Sequence, residues 1–158
     1  GSYAGAMGYG QFIPSSFRAY AIDFDGDGTR DIWSSQTDAI GSVANYFSRH
    51  GWDGESPIAV PVTVTDERAD QLANQGLKPK RSIAELRKAG MEHVSLPDQT
   101  LGALFRLEGR DGWEYWLGLH DFYVVTRYNH SHMYALAVVQ LSEAVRSRWD
   151  DVRKPNRL

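Results

Sequence analysis

The sequence has no cysteine. That absence excludes disulfides, thiolate metal sites and thiol catalysis, and it leaves the redox compartment open. No stretch approaches the ~20 apolar residues of a membrane-spanning helix, and no signal-peptide pattern is visible. Positive charge is not in excess. The formal net charge is −3, so there is no electrostatic reason to expect a nucleic acid partner. What remains is a chain of 158 residues, 42% hydrophobic, enough for one domain or a domain with a small insertion. Aromatic residues reach 12%, with five Trp and eight Tyr, a richness that suits a carbohydrate groove as well as a core.

The most specific pattern is Asp23-Phe-Asp25-Gly-Asp27-Gly28-Thr29-Arg30-Asp31-Ile32. Three carboxylates at alternate positions repel one another unless a cation sits among them. Calcium takes about 6–8 oxygen ligands and favours this spacing, with a glycine for the sharp turn. Thr29 would offer its carbonyl at the seventh position, and Asp31 could act at the ninth through a water. The competing reading is a solvated acidic loop. At the twelfth position the expected bidentate Glu is replaced by Ser34. The nearest later carboxylate is Asp38, expected in the first turn of the next helix, where the helix dipole favours an acid. Asp38 is assigned as the displaced closing ligand of a lengthened loop, compatible with a helix-start role. The metal set is therefore Asp23, Asp25, Asp27, Thr29 and Asp38, and the expected ion is structural.

Residues 2–10 are small and Gly-rich. Pro14 suits the first turn of a short helix to about Ala21. Thr37 is a fair N-cap for a helix through Arg49, with Ile40, Val43, Ala44 and Phe47 on one face. Ile58 to Thr65 reads as a strand, with Pro61 suggesting an edge or a bulge. Ser82-Ile-Ala-Glu85 is a capping box. Leu101–Leu107, Trp113–Leu119 and Phe122–Tyr128 are strand candidates, the first two joined as a hairpin by the turn at 109–112. Ser131 to Trp149 is a helix, apolar nearly all round in its first half. The expected fold class is α+β: a mainly helical domain with an EF-hand-like loop and a small inserted antiparallel β unit. The divisions are 1–51 (core part with the acidic loop), 52–126 (β-rich insertion), 127–149 (closing helix of the core) and 150–158 (polar tail).

The run Ser2-Tyr-Ala-Gly-Ala-Met-Gly-Tyr-Gly-Gln-Phe-Ile-Pro-Ser-Ser16 resembles the lytic murein transglycosylase B family, in its membrane-bound and soluble forms. The resemblance continues through the acidic loop, through Asp38-Ala-Ile-Gly-Ser-Val-Ala-Asn-Tyr-Phe47 with His50-Gly-Trp52, and into Thr126-Arg-Tyr-Asn-His-Ser131. It is weakest between about Glu55 and Gln99. It implies that the mainly helical domain is lysozyme-like, and it implies cleavage of the β-1,4 bond between N-acetylmuramic acid and N-acetylglucosamine, leaving 1,6-anhydromuramoyl ends. One carboxylic acid suffices for that chemistry, acting first as acid and then as base, with its pKa raised by an apolar pocket. It also implies peptidoglycan strands as partner and the periplasm of a Gram-negative bacterium, in a protein either soluble or anchored to the outer membrane by an upstream lipid.

The family's catalytic Glu precedes the Gly-rich run in a Glu-Thr motif. None of Glu55, Glu67, Glu85, Glu92, Glu108, Glu114 and Glu143 stands in such a motif. The chain is therefore expected to be the C-terminal part of an enzyme, partnered by the N-terminal part of the same protein and unable to cut glycan alone. The resemblance makes Ser2, Gln11, Tyr128 and Tyr134 supporting groups near the acid or the scissile bond. It makes Met7, Tyr9, Gln11 and Asn129 sugar contacts. The competing readings are a vector-derived Ser2, a helix-start amide at Gln11, core aromatics at Tyr128 and Tyr134, and a helix cap at Asn129. His130 and His132 lack a third ligand, so zinc is not expected there. Two other functions are compatible with the sequence: a non-catalytic calcium-dependent peptidoglycan-binding module, and a hydrolytic muramidase of the same fold.

Overall fold

A computed structural model of the protein describes residues 2–153. The chain divides into two units, Gly1–Asp53 and Gly54–Leu158. No helix among the described residues is long and apolar enough to cross a membrane.

The first unit holds two helices, α1 (Pro14–Tyr20) and α2 (Gln36–Arg49), joined by the acidic loop. Pro14 opens α1, where its missing N–H costs nothing. The N-cap of α2 is Ser35 rather than the expected Thr37. Ser35 is preferred because its hydroxyl serves twice: it accepts from the Asp38 N–H at 3.2 Å and donates to the Asp25 carboxylate at 3.0 Å. A small core gathers Phe12, Ala21, Ile32, Ala39 and Tyr46. The Tyr46 ring stacks on His50 at 4.0 Å and meets Tyr20 edge-on at 4.8 Å. Ile40, expected on the buried face of α2, is instead exposed.

The second unit is built on a five-stranded antiparallel sheet in the order β2-β4-β5-β1-β3. Its strands are β1 (Ala59–Val64), β2 (Arg81–Ser82), β3 (Met91–Glu92), β4 (Leu101–Gly109) and β5 (Gly112–Gly118). Two short helices, α3 (Glu67–Asp70) and α4 (Ile83–Lys88), lie between β1 and β3 in sequence. The capping box at Ser82 and Glu85 forms with both bonds in place. β1 lies inside the sheet order, yet β3 reaches only Thr63 and Val64, so β5 is the ladder partner of Pro61. That placement lets a residue without an N–H sit in an internal strand.

β4 is apolar on both faces because both faces are covered. Leu104 joins Val62, Ala69, Ile83, Leu86, Met91, Leu117 and Leu119 in one core. Phe105, one residue on, points the other way. It packs on Phe122 at 5.1 Å and lies parallel to His132 at 5.2 Å. Those two residues belong to α5 (His120–Tyr128) and α6 (His132–Arg153). Gly118 permits this approach, since a Cβ there would strike the rings of Phe122 and Phe105.

The expected strand at Phe122–Tyr128 is therefore α5. Phe-Tyr-Val-Val-Thr is rich in β-forming residues, but Asp121, Phe122, Val124, Val125 and Thr126 are all buried, a pattern alternation does not give. The final helix is also longer than expected. It continues through Arg153, so residues 150–153 of the anticipated tail are helical, and 154–158 lie outside the described residues. Both α5 and α6 fall in the second unit with the sheet.

Candidate functional site

The Gly-rich run folds as a tight turn. Met7 and Phe12 form an antiparallel bridge, with Met7 N–H to Phe12 O at 2.9 Å and Phe12 N–H to Met7 O at 3.0 Å. Two residues inside the turn have left-handed backbone, Gly8 (φ 65°) and Gln11 (φ 51°). Gln11 pays for this with two bonds to one acceptor: its backbone N–H and its side-chain amide both donate to Gly8 O, at 3.2 and 2.8 Å. A non-glycine residue held left-handed is strained by roughly 1–2 kcal/mol, and such strain collects at functional sites. Gln11 is exposed, and so is Tyr9, while Met7 is half-buried.

This turn is seated on the end of the acidic loop. The Tyr9 N–H donates to the Ile32 carbonyl at 2.9 Å. Gly8 lies so close to Ile32 that any Cβ would overlap that carbonyl. Ile32 itself is 1% exposed. Ser2 stabilises the approach to the turn, accepting the Ala6 N–H on its hydroxyl at 2.9 Å and the Gly5 N–H on its carbonyl at 3.0 Å.

The acidic loop is organised by its own carboxylates. Asp23 accepts from the N–H groups of Gly26 (2.7 Å) and Gly28 (2.8 Å), and Asp27 from that of Thr29 (2.7 Å). Asp31 accepts from Trp33 and Ser34 at 2.8 and 2.9 Å. The Ser34 amide, then the Trp33 amide, hold the Asp31 carboxyl below the usual range. One oxygen from each of Asp23, Asp25 and Asp27 lies within 4.8 Å of the others. Three hard, charged oxygens at that spacing fit an oxygen-seeking divalent cation.

Asp38 does something the spacing did not foresee. It is buried, and it clasps both ends of the loop. One oxygen accepts from Phe24 at 2.7 Å and Asp25 at 3.3 Å, and the other from Asp31 at 2.9 Å. The Asp31 amide is the largest cause of its lowered pKa, followed by that of Phe24. Asp38 stands outside the group of three carboxylates. Ser42, one turn on, is likewise buried and accepts the Ile22 N–H at 3.0 Å. Asp38 and Ser42 are an i, i+4 pair of polar residues on the inner face of α2. That spacing was the available signal for a side-chain clasp.

The remaining candidates lie in the second unit. Tyr128 is the last residue of α5 and is half-buried, with polar or ring partners of its own. Asn129 is exposed and caps the C-terminal end of α5, and its carbonyl accepts from Ser131 at 2.7 Å. Ser131 precedes α6 and accepts the Tyr134 N–H at 3.2 Å. Tyr134 is 38% exposed. Ser2, Met7, Tyr9 and Gln11 thus share one unit, and Tyr128, Asn129 and Tyr134 the other. All seven glutamates are exposed. Glu85 is held below its usual pKa by the Ser82 amide, the opposite of what a proton donor needs.

Comparison with known proteins gives a consistent picture. A family model described as transglycosylase SLT domain matches residues 1–143. The membrane-bound lytic murein transglycosylase B of Escherichia coli (strain K12) is 51% identical over 150 residues, covering 92% of this chain and 39% of that protein. The crystal structure of the soluble lytic transglycosylase SltB1 from Pseudomonas aeruginosa is 53% identical with a TM-score of 0.86, over 94% of this chain and 50% of that one. The Escherichia coli lytic transglycosylase Slt35, solved in complex with calcium, is 49% identical with a TM-score of 0.83, over 94% of this chain and 46% of that one. The chain spans 39% to 50% of the length of these relatives.

Proposed function

We propose that this chain, which belongs to the transglycosylase SLT family and has its lysozyme-like fold of helices with an antiparallel sheet, is part of a peptidoglycan lytic transglycosylase. The reaction is cleavage of the β-1,4 bond between N-acetylmuramic acid and N-acetylglucosamine, with formation of a 1,6-anhydro ring by attack of the muramoyl C6 hydroxyl. The observation that carries this reading is the seating of the Gly8–Tyr9 turn on Ile32, which holds Gln11 exposed in a strained backbone. Gln11, with a side-chain amide and a fixed position, orients the sugar or the acid. Met7 and Tyr9 offer apolar surface to a sugar ring. Tyr128 and Tyr134 place phenolic hydroxyls, and Asn129 can donate and accept at an acetamido group. The supporting role of Ser2 is through its hydroxyl proton, since its oxygen already accepts from Ala6.

The proton donor is assigned to the part of the protein outside these residues, because no glutamate here has the apolar surroundings that raise a pKa. The setting is the periplasm of a Gram-negative bacterium. The decisive experiment is digestion of purified sacculi by the whole protein, with mass spectrometry of the products. Anhydromuramoyl ends are expected, and reducing ends alone would overturn the assignment in favour of a hydrolytic muramidase. The exposure of every glutamate also favours a second reading for the isolated chain, a calcium-dependent peptidoglycan-binding module. Binding of residues 1–158 to sacculi without release of fragments tests it.

The acidic loop is assigned to calcium as an EF-hand-like site. Asp23, Asp25 and Asp27 supply carboxylate oxygens and Thr29 its carbonyl. Asp38 stands outside those three and would close the set through a lone pair left over from its three amide bonds once the loop draws in around the ion. The ion takes no part in bond cleavage. It screens the mutual repulsion of the aspartates and so stiffens the loop that ends at Ile32 and supports the Gln11 turn.

A further inference from the structure

The loop between α3 and β2 arches away from the sheet and returns to it. It leaves β4 where the Asn74 N–H donates to Leu104 O at 2.9 Å, and comes back where the Lys80 N–H donates to Gly102 O at 3.2 Å. Between these two attachments a groove of about 250 Å³ opens along the edge of β4. Its apolar lining is Leu72, Ala103 and Leu104, and its cations are Lys78, Lys80 and Arg81. No carboxylate lines it. Arg81 is held by the Gln75 side-chain carbonyl at 3.1 Å and also lies in the field of Glu85. Neither Lys78 nor Lys80 takes part in an ion pair among the described residues. In a chain of net charge −3, this is a local concentration of positive charge beside half-buried Leu72.

We infer that this groove binds the carboxylate end of the peptide portion of peptidoglycan. The inference rests on the peptidoglycan reading above and adds a second point of attachment, on the peptide rather than the glycan. Two features select a short peptide acid over a bare anion. Half-buried Leu72 gives a small aliphatic side chain a surface to cover, which an inorganic anion does not use, while buried Ala103 and Leu104 border the groove with their backbone. The volume holds about two small residues, with Lys78 and Lys80 placed to accept the terminal charge and Arg81 fixed by Gln75 for a directed bond.

The test is titration of the protein, observed by amide NMR, with three probes: an N-acetylated peptide ending in Ala-Ala with a free carboxylate, the same peptide as its C-terminal amide, and inorganic phosphate. The acid is expected to shift the amides of Gly76, Lys80 and Ala103. The amide should bind roughly tenfold more weakly, the loss of one charge-assisted contact. Replacing both lysines (Lys78→Ala with Lys80→Ala) should abolish the shifts while leaving the thermal melt unchanged, since both side chains are exposed. Equal binding of acid and amide, or binding of phosphate as tight as that of the peptide, would overturn the proposal. In the whole protein the double variant should slow release from intact sacculi and leave cleavage of peptide-free glycan strands untouched. Equal loss on both substrates would also overturn it. Failure of the unaltered protein to cut peptide-free glycan to anhydro ends would instead count against the transglycosylase reading.

Discussion

Each of the two units is stabilised internally by a different kind of force. Residues 2–53 have a small core and a dense set of side-chain to backbone hydrogen bonds, centred on Asp23, Asp31, Asp38 and Ser42. Residues 54–153 have long ladders between β4, β5 and β1 and apolar packing on both faces of β4. The first unit is therefore fixed by directed, charged contacts that concentrate like charge, a repulsion that the calcium proposed above would relieve. The second is fixed by burial, which is indifferent to ions. The Gln11 turn sits in the polar unit, where a few bonds determine its shape, and the basic groove sits on the apolar one.

The comparison is broken most severely from the apolar side. Leu117 is fully buried in the central strand β5, so Leu117→Ala should cost about 2–5 kcal/mol by loss of burial and cavity formation. A denaturant melt would measure this, and the response of the acidic loop to calcium should survive. From the polar side, calcium at about 100 times its dissociation constant should add about 2.7 kcal/mol to the first unit, removed by a chelator. Asp38→Asn should blunt that calcium response, while hydrogen exchange in β4 and β5 stays protected. A melt insensitive to chelator would remove the ion from the account.

A smaller effect separates stability from function. Gln11→Gly relieves the left-handed backbone and should stabilise the fold by about 1 kcal/mol, while lowering turnover of sacculi by the whole protein. A variant that is neither more stable nor less active would show the strain to be incidental. The smallest effect is in acid. The side-chain bond from Arg68, then the Arg68 amide, hold Asp66 at about 2, against an ordinary value of 3.8. Because the folded pKa is depressed, its contribution to stability is present above the ordinary value and is lost as the pH falls through about 2. Asp70, lowered chiefly by Tyr115 and then by Arg106, shifts in the same direction. Acid titration followed by NMR should show Asp66→Asn flattening this step in the sheet unit alone.

Local signals account for much of what could be read in advance. Pro14 at a helix start, the Ser82–Glu85 box and the hairpin of β4 and β5 each rest on residues near one another in the chain, and each forms where expected. The Gly-rich run also declared itself, because only glycine tolerates the close approach at Gly8. Phe122–Tyr128 did not declare itself. Its residues favour a strand in isolation and become a helix because Phe122 fills the space over Phe105 and Gly118. Thr37 is the cap the local sequence suggests, and Ser35 takes the role because Asp25 comes within reach of its hydroxyl.

The sequence by itself determined the chemistry available to this protein: a carboxylate-rich turn, a glycine run able to bring backbone close, and no thiol. It also determined those elements whose stabilising contacts lie nearby in the chain. Only the tertiary structure decided that Asp38 clasps the loop, that β1 lies between β5 and β3, and that Lys78 and Lys80 flank a groove along β4. Each of these depends on groups far apart in sequence becoming neighbours, and burial and pairing at a distance leave no periodicity in the chain to be read.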